Sequence, residues 1–162
     1  MVAAGVGCGC GGYGVLGVER GEEVRPSADE YFMKVAVVVA SRATCPRRQV
    51  GAVVVRDGNI LSTGYNGAVR GATHCIESGC LLEHEHCVRA VHAEANALIQ
   101  AARHGVCTDK AYMYSTTQPC RQCAKLIVNA GITKVVYGSH YGEEQGLELL
   151  RSAGVKVVYL RP

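Results

Sequence analysis

The chain reads as an α/β protein, a three-layer α/β/α sandwich around a five-stranded mixed sheet. Three observations predict this. Helix-type and strand-type stretches alternate from residue 26 onward. An Asp57-Gly58-Asn59 turn joins two of the strands directly. Three helical stretches each stop at a glycine (Gly105, Gly131 and Gly154) before the next strand begins.

In chain order, Ser27 and Glu30 form a capping box that opens the first helix, expected to run to Ser41 or Arg42 with Tyr31, Phe32, Val35, Val38 and Val39 on its buried side. Val50 to Val55 reads as a buried strand, and Ile60 to Tyr65 returns from the turn as its hairpin partner, ended by Asn66-Gly67. From Ala68 to Ala90 periodicity is lost and Cys, His and Glu accumulate. Helices are expected over His92–His104, Cys120–Ala130 and Glu143–Ala153, with strands over Ala111–Thr116, Thr133–Tyr137 and Val155–Leu160. The later strands need crossovers and so are expected to run parallel. Residues 26–162 thus form one domain. Residues 1–25 read as a disordered tail, because seven glycines within Met1–Gly17 leave too little apolar surface to offset ordering entropy. Cys8 and Cys10 in that tail read as stray thiols, and no signal-peptide pattern is present.

Composition sets broad limits. At 162 residues, with 48% hydrophobic and 19% charged side chains, the chain fits one soluble globular domain. Its longest apolar stretch, Val35 to Ala40, is far too short to span a bilayer, so no membrane partner is expected. A formal charge of +3 suits an anionic small molecule and argues against long nucleic acid as a partner. Of the nine cysteines, Cys120 and Cys123 have metal-ligand spacing and four more cluster around histidines, which points to metal and a reducing, cytoplasmic compartment instead of a disulfide scaffold.

Two short runs carry the chemistry: His92-Ala93-Glu94, and Pro119-Cys120-Arg121-Gln122-Cys123 beginning 27 residues after the histidine. A catalytic zinc takes three protein ligands and keeps its fourth position for water. His92, Cys120 and Cys123 supply three, and the two cysteines share a helix face at i and i+3. Both runs open helices, whose N-termini stabilise thiolates. Glu94 lies too near His92 to chelate but is placed to move protons at the site. A closed structural zinc site would need a fourth ligand and would leave Glu94 without a role. The pattern matches the known signature of zinc nucleobase deaminases.

With those runs placed on this order of elements, the chain resembles the cytidine deaminase-like proteins, and within them the deoxycytidylate (dCMP) deaminases and the deaminase-like protein of bacterial competence operons. The resemblance spans about residues 27–160 and rests on R-A-T-C-P-R-R-Q-V-G-A from Arg42 to Ala52, G-Y-N-G from Gly64 to Gly67, His74-Cys75, Gly79-Cys80, Cys87, H-A-E-A-N-A from His92, Q-P-C-R-Q-C-A-K from Gln118, Ala130-Gly131-Ile132 and Val135-Val136-Tyr137. The short segment between Cys80 and Cys87 favours the competence-operon type.

The resemblance implies zinc-dependent hydrolysis of dCMP to dUMP and ammonia, feeding thymidylate synthesis, with Glu94 taking a proton from water, delivering it to the cytosine N3 and later protonating the leaving ammonia. It implies a sugar-hydroxyl contact from Asn66, within the same loop as Tyr65, although an Asn-Gly turn alone also explains Asn66. Arg47 or Arg48 would meet the phosphate, or lie solvated at the surface. Asn96 reads as a helix-packing residue and Cys107 as core. Cys45, Cys75, Cys80 and Cys87 resemble a second, structural zinc site, with His86 or His84 as the alternative to one cysteine; buried free thiols are the plain reading. The resemblance also implies a homo-oligomer, dimer or hexamer. Other functions compatible with the same residues are deamination of another small pyrimidine or nucleoside, tRNA adenosine editing, and a competence-associated nucleotide-binding role.

Overall fold

The computed structural model describes residues 25–84, 86–142 and 144–161. The expected tail over residues 1–25 thus lies outside the described residues apart from Arg25, as does Glu143, the expected first residue of the last long helix. The elements are α1 (Ala28–Ala40), β1 (Gly51–Arg56), β2 (Asn59–Tyr65), β3 (Gly67–Ala68), α2 (Cys75–Ser78), β4 (Leu82–Glu83), β5 (His86–Cys87), β6 (Ala90–Val91), α3 (Ala93–Arg103), β7 (Tyr112–Ser115), α4 (Arg121–Asn129), β8 (Lys134–Tyr137), α5 (Gln145–Ser152) and β9 (Lys156–Tyr159). Two helix boundaries fall on chemistry-bearing residues. His92 is the N-cap of α3, and Cys120 is the N-cap of α4.

The five-stranded mixed sheet has the order β2-β1-β7-β8-β9. The β1–β2 hairpin turns at Asp57 and Gly58, both at positive φ, which matches the right-handed twist of the paired strands. The β7–β8 and β8–β9 pairs are parallel, as the crossovers through α4 and α5 require. The pairing of β7 departs from the sequence expectation. It lies antiparallel to β1, because the chain leaves β2 and inserts β7 on the other edge of β1, whose direction the hairpin has reversed.

Strand alternation divides the core between the two faces. Ala52 and Val54 of β1 join Met113, Val135, Ile127, Leu147 and Leu150 under α3, α4 and α5. Val53 and Val55 face the other way, with Tyr114 and Val136, against Phe32, Met33 and Ala36 of α1. The buried side of α1 corrects the sequence expectation. Phe32 is buried as expected, together with Met33, Ala36 and Ala40, and Val35 and Val39 pack half-buried against them, whereas Tyr31 is 51% and Val38 69% exposed. The cause is close approach. A β-carbon on Gly51 would stand 2.2 Å from the Ala36 carbonyl oxygen and 2.5 Å from Ala40 N, so the Ala36–Ala40 part of α1 lies directly on β1 and fixes which face of the helix meets the sheet. Cys107, expected in the core, is exposed in the α3–β7 connection, where Arg56 Nη1 holds its backbone carbonyl at 2.9 Å. Among the described residues, no helix is long and apolar enough to cross a membrane.

Asp29 fastens the start of α1 to the sheet. Lys134 Nζ donates to both of its carboxylate oxygens at 2.7 and 2.6 Å, and Tyr114 Oη donates to Oδ1 at 2.8 Å. Partial burial pushes the Asp29 carboxyl up, but the Lys134 ammonium and the Tyr114 hydroxyl together hold it below the usual carboxylate range. A depressed folded-state pKa contributes stability above the unfolded value, near pH 4, that is lost as pH falls through the folded value. Asp29→Asn is therefore expected to cost about 1–2 kcal/mol at neutral pH, allowing for solvent screening of a partly exposed pair. Denaturant titrations from pH 7 to pH 2 check this: the gap between wild type and variant should narrow below about pH 4.

Candidate active site

The site lies at the carboxyl ends of β2 and β7, where α/β sheets place their ligand crevices. β7 ends at Ser115, and five residues later Cys120 caps α4. The start of α3 is brought to the same place by its contact with β2. A β-carbon on Gly64 would stand 2.3 Å from Ala97 N and 2.4 Å from Ala93 O, so glycine alone lets the first turn of α3 lie directly on the strand. That contact sets where His92 and Glu94 project.

His92 Nδ1 lies 3.5 Å from both Cys120 Sγ and Cys123 Sγ. Nitrogen and sulfur ligands on one tetrahedral zinc would be about 3.6 Å apart, given the usual Zn–N and Zn–S bond lengths. The donor set therefore fits zinc in type, number and spacing. Cys120 Sγ also accepts from Cys123 N–H at 3.5 Å, the capping bond of α4. A hydrogen bond from the Cys123 thiol, aided by His92 and the Cys123 backbone N–H, pulls Cys120 down to about 3, and the same contact pushes Cys123 up. The Cys120 thiolate in turn raises His92.

Glu94 is 4% exposed, with Oε2 at 3.7 Å from Cys123 Sγ and Oε1 at 3.5 Å from the buried Ser115 Oγ. Burial pushes its carboxyl up, opposed by its own backbone N–H and by His92. A buried carboxyl raised above its ordinary range beside a metal-type donor set is a candidate for proton transfer.

His92, Glu94 and Cys120 form one wall of a cleft of about 290 Å³ that Arg47, Arg48, Asn66 and His86 also line. The Arg48 guanidinium sits 4.4 Å from the centre of the Tyr141 ring, a cation–π contact at the cleft wall. The Asn66 side chain clasps the Arg48–Val50 backbone: Oδ1 accepts from Val50 N–H and Nδ2 donates to Arg48 O, each at 2.8 Å. One hydrogen of that amide is left for another acceptor. Tyr65 corrects the sequence expectation, since it does not line the cleft. It is 37% exposed, because side chains alternate along β2 and the neighbouring Gly64 and Asn66 take the inner positions. Asn96 Nδ2 donates to the Tyr65 carbonyl at 2.8 Å, tying α3 to the end of β2. Sequence reasoning assigned no role to Ser115, Thr117, Gln118 or Tyr141. Gln118 stood inside the quoted Q-P-C run, whereas Tyr141 comes from a distant loop and carried no local signal.

A second group of sulfurs borders the cleft. Cys75, Cys80 and Cys87 bring their Sγ atoms within 4.8 Å of one another. Cys75 Sγ and Cys87 Sγ are 3.7 Å apart, close to the roughly 3.8 Å expected of two thiolates on one zinc and far from a disulfide bond. Burial raises Cys75 and pushes Cys80 up to about 11. Against its own burial, the N–H groups of Arg89 and Ala90 hold Cys87 down. Cys45 is buried in the cleft wall but lies outside that trio; Ile76 N–H to Thr44 O, at 3.2 Å, ties α2 to its segment. His86 is an exposed cleft residue, and His84 is exposed at φ 46° in the β4–β5 turn, so neither joins the trio. His74, passed over as a ligand in the sequence, has its Nδ1 buried without a partner.

Comparison with known proteins agrees with this geometry. The pattern described as the cytidine and deoxycytidylate deaminase zinc-binding region matches residues 26–139. ComE operon protein 2 of Bacillus subtilis is 46% identical over 134 residues, covering 82% of this chain and 71% of that protein. The deoxycytidylate deaminase of Saccharomyces cerevisiae is 41% identical over 141 residues, with 83% of this chain matching 45% of the yeast protein, so the chain spans less than half of that relative. Among solved structures, the dCMP deaminase of cyanophage S-TIM5 in complex with dCMP and dUMP superposes with a TM-score of 0.76 at 35% identity, covering 85% of this chain and all of the phage chain. A 114-residue match that includes both the His92 and the Cys120 runs decides the assignment: this chain belongs to the cytidine and deoxycytidylate deaminase zinc-binding family.

Proposed function

We propose that this chain is a zinc-dependent dCMP deaminase, hydrolysing dCMP to dUMP and ammonia. The observation that carries the reading is a buried Glu94 carboxyl 3.7 Å from a sulfur of a His/Cys/Cys donor set, in a cleft bordered by two arginines. His92, Cys120 and Cys123 would hold the catalytic zinc, which supplies a Lewis acid and a water acidified toward neutral pH. Glu94 relays both protons of the attacking water in turn. The first, taken as the water oxygen bonds to C4, goes to N3 of the ring; the second, taken from the new C4 hydroxyl, goes to the amine as the C4–N bond breaks and the C4 carbonyl forms, so that water and dCMP account for dUMP and ammonia. Burial supports the task, since it raises the Glu94 carboxyl above its ordinary range and so makes its protonated form easier to reach.

Arg47 and Arg48 are assigned the substrate phosphate, and Asn66, through its remaining amide hydrogen, the sugar hydroxyl. Cys75, Cys80 and Cys87 are assigned a second, structural zinc with Cys45 as fourth ligand and the unpaired His74 Nδ1 as its alternative. A closed site would give α2 and the β4–β5 hairpin the anchor that their few buried side chains do not provide. Two sets of metal-ready thiols suit a reducing, cytoplasmic compartment, and relatedness to dCMP deaminases supports a homo-oligomer.

Three measurements test the reading. Glu94→Gln should retain fold and zinc while turnover falls by at least about a thousandfold, because a proton carrier is lost and no ligand is; a folded, metal-loaded variant with substantial activity would remove Glu94 from the chemistry. Metal analysis of the purified chain should return about two zinc ions, falling by one in Cys75→Ser together with a lower Tm. One zinc in both proteins would rule out the structural site. Ammonia release from dCMP and deoxycytidine should show at least about tenfold higher kcat/KM for dCMP, the share that one charged hydrogen-bonded phosphate contact supplies. Arg47→Ala or Arg48→Ala should erase much of that preference while sparing deoxycytidine turnover. Equal efficiency on both substrates would instead favour a nucleoside deaminase.

A further inference from the structure

The metal-type turn from Thr116 to Cys120 is held along its length by residues that come after β8. Gln118 N–H donates to Ser139 O at 2.8 Å, Ser139 Oγ donates to Thr116 O at 3.0 Å, and Gln118 Nε2 donates to Tyr141 O at 2.5 Å. The last contact is steric. Gly146 lies buried in the first turn of α5, and a β-carbon there would stand 2.1 Å from Pro119 O, 2.9 Å from Cys120 C and 3.1 Å from Cys120 O.

All three obstructing atoms are backbone, so no side chain can swing aside to make room. α5 cannot retreat either, because Leu147 and Leu150 are fully buried in the core shared with Ile127 of α4. The φ of Gly146 lies outside the positive region, so glycine is not required by backbone conformation. Alanine is the better helix former, and at an open position it would strengthen α5. What excludes it is the closeness of Pro119 and Cys120.

From this geometry we infer that Gly146 is a positioning residue for the Cys120 thiolate. The bare backbone of α5 is the stop against which the Pro119–Cys120 turn rests, and that stop sets the distance of Cys120 Sγ from His92 Nδ1 and Cys123 Sγ. The role rests on the proposed assignment of His92, Cys120 and Cys123 as metal ligands. A side chain at position 146 would press Pro119–Cys120 toward the cleft and loosen the ligand set. Groups that orient metal ligands commonly change metal affinity about 10- to 100-fold when altered.

The test compares full-length wild type, Gly146→Ala and Met33→Ala, each loaded with zinc, by release to a chromogenic chelator. The phase that His92→Ala abolishes identifies the site. Gly146→Ala should release that zinc at least about tenfold faster than wild type. Met33→Ala, which empties core volume under α1 on the opposite face of the sheet, should lower Tm while leaving the release rate unchanged. In the cobalt-substituted proteins, only Gly146→Ala should weaken and shift the thiolate-to-metal charge-transfer band. Release at the wild-type rate from Gly146→Ala, or equal acceleration by Met33→Ala, would overturn the positioning role. Should Gly146→Ala fail to fold, hydrogen exchange on the wild type decides. Zinc loading should slow the Glu148 and Leu149 amides of α5 together with those of α4, and slowing confined to α4 would overturn the proposal. A wild type lacking any His92-dependent phase would overturn the metal assignment itself, a different outcome from normal release in the variant.

Discussion

Two helix N-termini meeting at the carboxyl ends of β2 and β7 are the constraint on which the rest of the site depends. α3 begins at His92 and α4 at Cys120, and each of these capping residues is also a metal-type ligand. A helix N-terminus offers unpaired N–H groups and positive partial charge, and here a sulfur takes up one of them: Cys120 Sγ accepts the Cys123 N–H. Capping and ligation thus ask for the same group in the same place. The helix also spaces Cys120 and Cys123 by one turn, so both sulfurs reach His92 Nδ1 at the same distance.

Such an arrangement demands that backbones approach more closely than side chains ordinarily allow. α3 lies against β2 at Gly64, and α5 lies against the Pro119–Cys120 turn at Gly146. These contacts bear on opposite halves of the ligand set. The first fixes His92 and Glu94, and the second backs Cys120. Glu94 then inherits its environment from the packing around it: with Ser115 and Cys123 as neighbours and little solvent, its carboxyl is raised. The raised Glu94 carboxyl is therefore a consequence of how tightly its scaffold closes.

The segment between β3 and α3 obeys a different logic. α2, β4 and β5 have few buried residues, and Ile76, Leu81, Leu82 and Val88 are exposed. Its order is concentrated where Cys75, Cys80 and Cys87 converge. Since Cys87, His86 and Cys45 also line the cleft, whatever fixes the sulfurs fixes part of the cleft wall. A part of the chain that cannot form a core of its own thereby becomes part of the site.

Much of this was legible in the sequence. The α/β alternation, the Asp57-Gly58 turn, the glycine stops and the His92 and Cys120 runs are local signals, and local signals arise from periodicity, turn conformation and ligand spacing. The helices expected over His92–His104 and Cys120–Ala130 coincide with α3 and α4 once their capping residues are counted. Other features depended on which surfaces meet. The buried stripe of α1 runs through Phe32, Met33, Ala36 and Ala40, with Val35 and Val39 half-buried at its edges and Val38 outside, because Gly51 lets the α1 backbone at Ala36 and Ala40 lie directly on β1 and so fixes which face meets the sheet. β7 lies antiparallel to β1 because of where it inserts. Tyr65 points away from the cleft through strand alternation, while Tyr141 reaches it from a loop with no motif. A sequence states which groups are available and how they are spaced along one element, but the distance between two elements is set by the packing of both, and in this chain that distance decides the site.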